Sequence, residues 1–173
     1  MKKRAVLVFL ALATTGCGVI QSAIRSTLPY TAILQIPRRA QVGVELEATA
    51  PAASFDQRMR KDNAGDSRVK DIRVISAKLQ SYEPSDFNLG NLVSVKIYMA
   101  KADGSNEVLV ASRTDITPGV GGSLVLDIDN GKVLDEQGGQ SKTQIRMVYK
   151  LHNHVNQNTS LRLVLGLSAN PGK

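Results

Sequence analysis

At 173 residues, with 22 Lys and Arg against 15 Asp and Glu and a formal charge of +7, the chain is long enough for one domain with a buried core and crowded for two. Its single cysteine excludes an internal disulfide, and the lack of tryptophan with only 4% aromatic residues argues against extended stacking platforms for sugars or bases. The basic excess is partly terminal: without Lys2, Lys3 and Arg4 there remain 19 basic and 15 acidic residues, a net of +4, too weak and too dispersed for a nucleic-acid footprint.

Residues 1–16 have the layout of a secretory signal peptide. Lys2, Lys3 and Arg4 form the basic start, Ala5 to Ala13 the apolar run, and small residues lead to Cys17. Thr14, Thr15, Gly16 and Cys17 resemble the lipobox of bacterial lipoproteins, in which a leucine-like residue, a small residue and Gly or Ala precede the modified cysteine; Thr14 stands where leucine is usual. The resemblance covers about a tenth of the chain. It implies cleavage before Cys17, a diacylglyceryl thioether on the Cys17 thiol and fatty acylation, palmitate among the chains, of the new amino group. Two or three acyl chains make such an anchor stable where one, at about 0.8 kcal/mol per buried methylene, does not. For a Gram-negative envelope it further implies the outer membrane, because Gly18 and Val19 lack the aspartate that retains lipoproteins in the inner membrane of enteric species. No acidic run follows to direct the protein outward, so the body is expected to face the periplasm.

Two other fates fit parts of the same stretch. Ordinary cleavage after Ala11, Leu12 and Ala13 would release a soluble protein with a free Cys17, but it leaves only Ala5 to Leu10 as the apolar segment, short of the roughly 7 to 15 residues required. An uncleaved span would need roughly 20 apolar residues. After Cys17, residues 17–27 form a tether too short and too poor in Gly, Ser and Pro to be a flexible stalk, with Ile20, Ala23 and Ile24 spaced for one helical turn.

From Leu28 to the end the periodicity is two, and residues 28–173 read as a single domain. Ala32, Leu34 and Ile36 alternate, a turn follows at Arg38 to Ala40, and Val42, Val44 and Leu46 alternate again, which predicts a hairpin. Ala48 to Ser67 shows neither period and reads as a long loop with a helical turn near Phe55 to Lys61. Ile72 and Val74 lie in one phase and Ile75, Ala77 and Leu79 in the other, the mark of a β-bulge or of a strand buried on both sides. Val93, Val95, Ile97 and Met99 alternate up to the turn residues Asp103 and Gly104, and Val108 to Ala111 return. Leu124, Leu126 and Ile128 alternate next, and two closing strands carry Ile145, Met147, Tyr149 and Leu151, then Leu161, Leu163, Leu165 and Leu167. Seven or eight short strands without a three-turn amphipathic helix predict an all-β fold: an antiparallel β-sandwich, broadly immunoglobulin-like, with a small β-barrel as the alternative.

Chemistry-bearing residues are sparse. Asp127, Asp129, Asn130 and Gly131 open like a cation loop that Asp135 or Glu136 would complete, but the full calcium-loop spacing fails: Lys132 takes the glycine position and Gly138 the twelfth, so turn chemistry is the simpler reading. His152 and His154, at i and i+2, would share one side of a strand and could start a metal site, yet no further histidine exists to complete it. No nucleophile motif surrounds any serine. Arg58, Arg60, Lys61, Arg68, Lys70 and Arg73 alternate with Asp56, Asp62, Asp66 and Asp71, a local net of +2 that suits either solvated ion pairs or a loop docking onto an acidic partner. Arg58, Arg60, Lys61 and Arg68 are therefore the candidate partner contacts.

The sequence leads to a non-enzymatic envelope lipoprotein without cofactor or metal, held at the membrane by Cys17 and acting as an interaction or assembly subunit for other envelope proteins. A carrier of a lipid or other apolar molecule between the sheets is the alternative, with the leucine row Leu161 to Leu167 as its lining.

Overall fold

The computed structural model describes residues 26–54, 69–138 and 143–171. Cys17, the tether turn at Ile20 to Ile24 and the cations Arg58, Arg60, Lys61 and Arg68 lie outside the described residues.

Nine strands follow one another as β1 (Ser26–Ile36), β2 (Glu45–Ser54), β3 (Val69–Glu83), β4 (Leu92–Lys101), β5 (Val108–Arg113), β6 (Ser123–Val125), β7 (Asp127–Ile128), β8 (Thr143–Leu151) and β9 (Thr159–Pro171). A single-turn helix, α1 (Asp135–Gly138), and a 3-10 turn at Leu89–Asn91 complete the described elements. They build an antiparallel β-sandwich of four and five strands that does not close into a barrel. The strand order is β6-β3-β9-β1-β2-β8-β4-β5-β7. The first four strands form sheet A and the remaining five sheet B.

The two sheets meet twice. At one seam, β1 and β2 share only the pairs Tyr30↔Ser54 and Thr31↔Ala53. At the other the chain itself crosses: β6 pairs with β3, β7 pairs with β5, and Leu126 alone separates β6 from β7. Its amide donates to the Ala77 carbonyl at 3.0 Å, so the crossing backbone keeps a hydrogen bond.

The interior is a single apolar cluster. Leu34, Ile36, Ile72, Leu79, Leu161, Leu163, Leu165 and Leu167 supply it from sheet A, and Val95, Ile97, Met99, Ile145, Met147 and Leu151 from sheet B, all fully buried. The alternation seen in the sequence thus places β4, β8 and β9 correctly. The phase change in β3 is a bulge: the register slips between Val74 and Ser76 so that Val74 and Ala77 both point inward, with Ile75 and Ser76 left outside.

Two expectations are corrected. β1 and β2 do not form a hairpin, since β1 spends its eleven-pair ladder on β9 and β2 its eight-pair ladder on β8. Residues 37–44 therefore cross between sheets. The expected loop from Ala48 is also shorter, because β2 continues to Ser54 with Ala48, Ala50 and Ala52 buried. Alanine is a weak strand signal and Pro51 imitates a turn, which hid this strand.

Candidate functional site

The strands run between two ends of the sandwich, and ladder register assigns each loop to one of them. Ser26 pairs with Ala169 and Val69 with Pro171, while Ser54 lies opposite Tyr30. The start of β1, the end of β2 and the start of β3 thus share one end with the β4–β5 turn and α1. Whatever precedes Ser26, and the segment that joins Ser54 to Val69, attaches there. The opposite end carries residues 37–44, 84–91, 114–122 and 152–158.

The end where β1 starts is braced by polar contacts. The Tyr30 hydroxyl donates to the Gly138 carbonyl at 2.8 Å in a buried setting, and Thr143 Oγ1 donates to the Gln137 carbonyl at 2.7 Å. Buried Gln137 donates through Nε2 to the Asn106 carbonyl. Lys101 Nζ lies 2.9 Å from Glu136, which also accepts from Asn106 Nδ2, and both contacts hold the Glu136 carboxyl below its usual range. Beside this brace, Thr49, Pro51, Ala102, Thr143 and Gln144 line a shallow cleft of about 240 Å³ without a charged group.

The acidic candidates are each tied to a different partner. Asp127 accepts from Arg113 at 3.2 and 3.3 Å, and Asp129 Oδ1 accepts the Gly131 amide at 3.1 Å, which closes a local turn. Asp135 Oδ1 accepts the Ile72 amide at 2.8 Å, and the Asn130 and Gly131 carbonyls accept from Arg73. Among the described residues no three His, Cys, Asp or Glu side chains come together as a metal group. The premise for His152 and His154 also fails, because β8 ends at Leu151 and both rings are exposed in the connection to β9.

The two outward faces of the sandwich differ in kind. On sheet B, Arg146 is central: Nη1 lies 2.7 Å from Glu47, Nε donates to Glu107 at 2.7 Å, and the guanidinium covers the Tyr98 ring at 4.5 Å. The hydrogen bond from Arg146 holds the Glu107 carboxyl below its usual value, and the same bond raises the affinity of Arg146 for its proton. Lys96 pairs with Glu45 at 3.1 Å and Arg113 with Asp127. Most positive and negative groups on this face therefore answer one another; Lys150, in register with Glu45, makes no ion pair among the described residues.

On sheet A the three central rows of those facing outward form one patch. They are Ser123–Gln80–Arg162–Ile33, Val125–Lys78–Val164–Thr31, and Ser76–Gly166–Pro29. None of these three contains an acid, but the outward positions flanking them do: Glu83 lies opposite Ser160, and Arg73, opposite Ser168, pairs with Asp71 at 2.7 Å. Among the described residues, Lys78 and Arg162 make no ion pair; Arg162 lies over the Tyr82 ring at 4.2 Å. Ile33, Ile75, Tyr82 and Val125 are exposed on this side, Val125 to 68%. Gly166 keeps the centre low: a Cβ there would sit 2.4 Å from Ser76 Oγ. These rows went unnoticed in the sequence, where the signal was present as the outward set of β9, Ser160, Arg162, Val164, Gly166 and Ser168.

No protein-family profile matches this chain, and no curated protein is similar to it in sequence.

Proposed function

We propose that this chain is a lipid-anchored envelope protein, held through Cys17, whose β-sandwich serves as a non-enzymatic interaction or assembly subunit. One observation carries the reading furthest: β1 begins at Ser26, so only residues 18–25 separate the lipobox-like cysteine from a strand paired along its whole length. At roughly 3.3 to 3.6 Å per extended residue, that segment reaches about 30 Å. A lipid on Cys17 would keep the body at the membrane surface and turn toward it the end where β2 stops and β3 starts. The segment with Arg58, Arg60, Lys61 and Arg68 attaches to that same end, within reach of anionic head groups or of an acidic neighbour.

The tight core supports a binding surface over an internal carrier. Leu161, Leu163, Leu165 and Leu167 are fully buried against the other sheet, as packed side chains are in any domain interior. Native mass spectrometry of the protein purified from membranes tests this part. The expected spectrum shows the chain with its own acyl groups and a protein partner after mild crosslinking; a stoichiometric lipid beyond the anchor would overturn the reading in favour of a carrier.

A further inference from the structure

We propose that the outer face of sheet A is a docking surface for an acidic protein partner, read through Lys78 and Arg162. This deepens the interaction-subunit reading and rests on it for the envelope setting, while the surface chemistry stands on the described residues alone.

Three observations carry the proposal. Lys78 is opposite Val164 and Arg162 opposite Gln80, which makes the two cations diagonal neighbours on adjacent strands. Diagonal neighbours are about 7 to 8 Å apart, within reach of long side chains, so both charges can be presented to one anionic group. No carboxylate among the described residues pairs with either, in contrast to sheet B, where Arg146, Lys96 and Arg113 each hold one. The cations are also framed by exposed Ile33, Ile75, Tyr82 and Val125, and apolar side chains around a charged anchor are the usual build of a protein contact. Arg162, stacked on Tyr82, joins two of the residue types that dominate binding energy.

The occupant follows from charge. A second copy of this face would set Lys78 and Arg162 against the same two cations with Glu83 alone to answer them, and the carboxylates of sheet B are already engaged. With Cys17 lipidated as proposed above, the end where β1 starts would turn to the bilayer and this face, which runs along the strands, would stand beside it. Four strands at about 4.8 Å and three rows at about 6.7 Å give a patch of roughly 400 Å². A contact of that size belongs with weak or transient complexes, and its partner must offer carboxylates flanked by apolar side chains.

The test places a photo-crosslinking amino acid in the full chain, in cells that produce it, at Thr31 or Val125 on sheet A and at Thr49 on sheet B. The expected result is one discrete protein adduct from Thr31 and Val125, none from Thr49, and at least about a tenfold loss when Lys78→Glu and Arg162→Glu are combined. Circular dichroism of that variant must match the parent; should it not, Lys78→Gln with Arg162→Gln replaces it. The captured protein, identified by mass spectrometry, should bind the purified chain directly and lose binding when carboxylates at its crosslinked site become amides. Adducts to phospholipid or to a second copy of this chain, adducts indifferent to the charge changes, equal yield from Thr49, or no adduct would each overturn the proposal. Fatty-acid labelling in the same cells separates the two ideas: label without adduct refutes the surface alone, and adduct without label refutes the anchor alone.

Discussion

The two outward faces of this sandwich cover the same core and differ in how their charges are settled. Sheet B pairs Arg146 with Glu47 and Glu107, Lys96 with Glu45 and Arg113 with Asp127, leaving Lys150 without an ion pair, and sheet A pairs Arg73 with Asp71 at its margin. The centre of sheet A leaves Lys78 and Arg162 without a carboxylate and surrounds them with apolar and small side chains. A face whose charges mostly cancel internally gains little from outside. On the proposal above, the central patch of sheet A gains most when a partner answers it, and the contrast would then separate a stabilising surface from a recognising one.

If the difference is confined to the surface, the layers beneath must respond alike. Leu163→Ala under sheet A and Ile97→Ala under sheet B should each cost about 2 to 5 kcal/mol in chemical denaturation, both side chains being fully buried. A marked inequality would break the comparison. At the surface the faces should part: Arg146→Ala should cost about 1 to 2 kcal/mol because it strands Glu47 and Glu107, and Arg162→Ala less than about 1 kcal/mol, the worth of its contact with Tyr82.

Acid should sharpen the same contrast. The Glu107 carboxyl is held below its usual 4.5 by the hydrogen bond from Arg146, so its stabilisation is complete above that value and disappears as the pH falls through the lowered one. Thermal melts taken downward from pH 4.5 should show the parent losing stability faster than Arg146→Ala. The smallest effect belongs to Lys78→Glu, which removes a cation that has no ion partner and should shift stability by no more than about 0.5 kcal/mol.

Much of the fold was legible because burial imposes period two on β4, β8 and β9, and a bulge in β3 announced itself as a broken phase between Val74 and Ala77. What misled was local likeness. Ala32 to Leu46 reads as a hairpin whether its strands pair with each other or diverge into different sheets, since either arrangement buries alternate residues. Ala48, Ala50 and Ala52 lack the branched bulk by which strands are recognised. The contrast between the faces was harder still, because Lys78 and Arg162 are distant in sequence and become neighbours only through the β3–β9 register.

The anchor remains the central claim, and incorporation of labelled fatty acid in a bacterial host tests it most directly. The parent chain should be labelled and recovered with membranes, and Cys17→Ala should carry no label and accumulate as unprocessed precursor. Normal processing and release of Cys17→Ala, or a parent chain without label, would contradict the account.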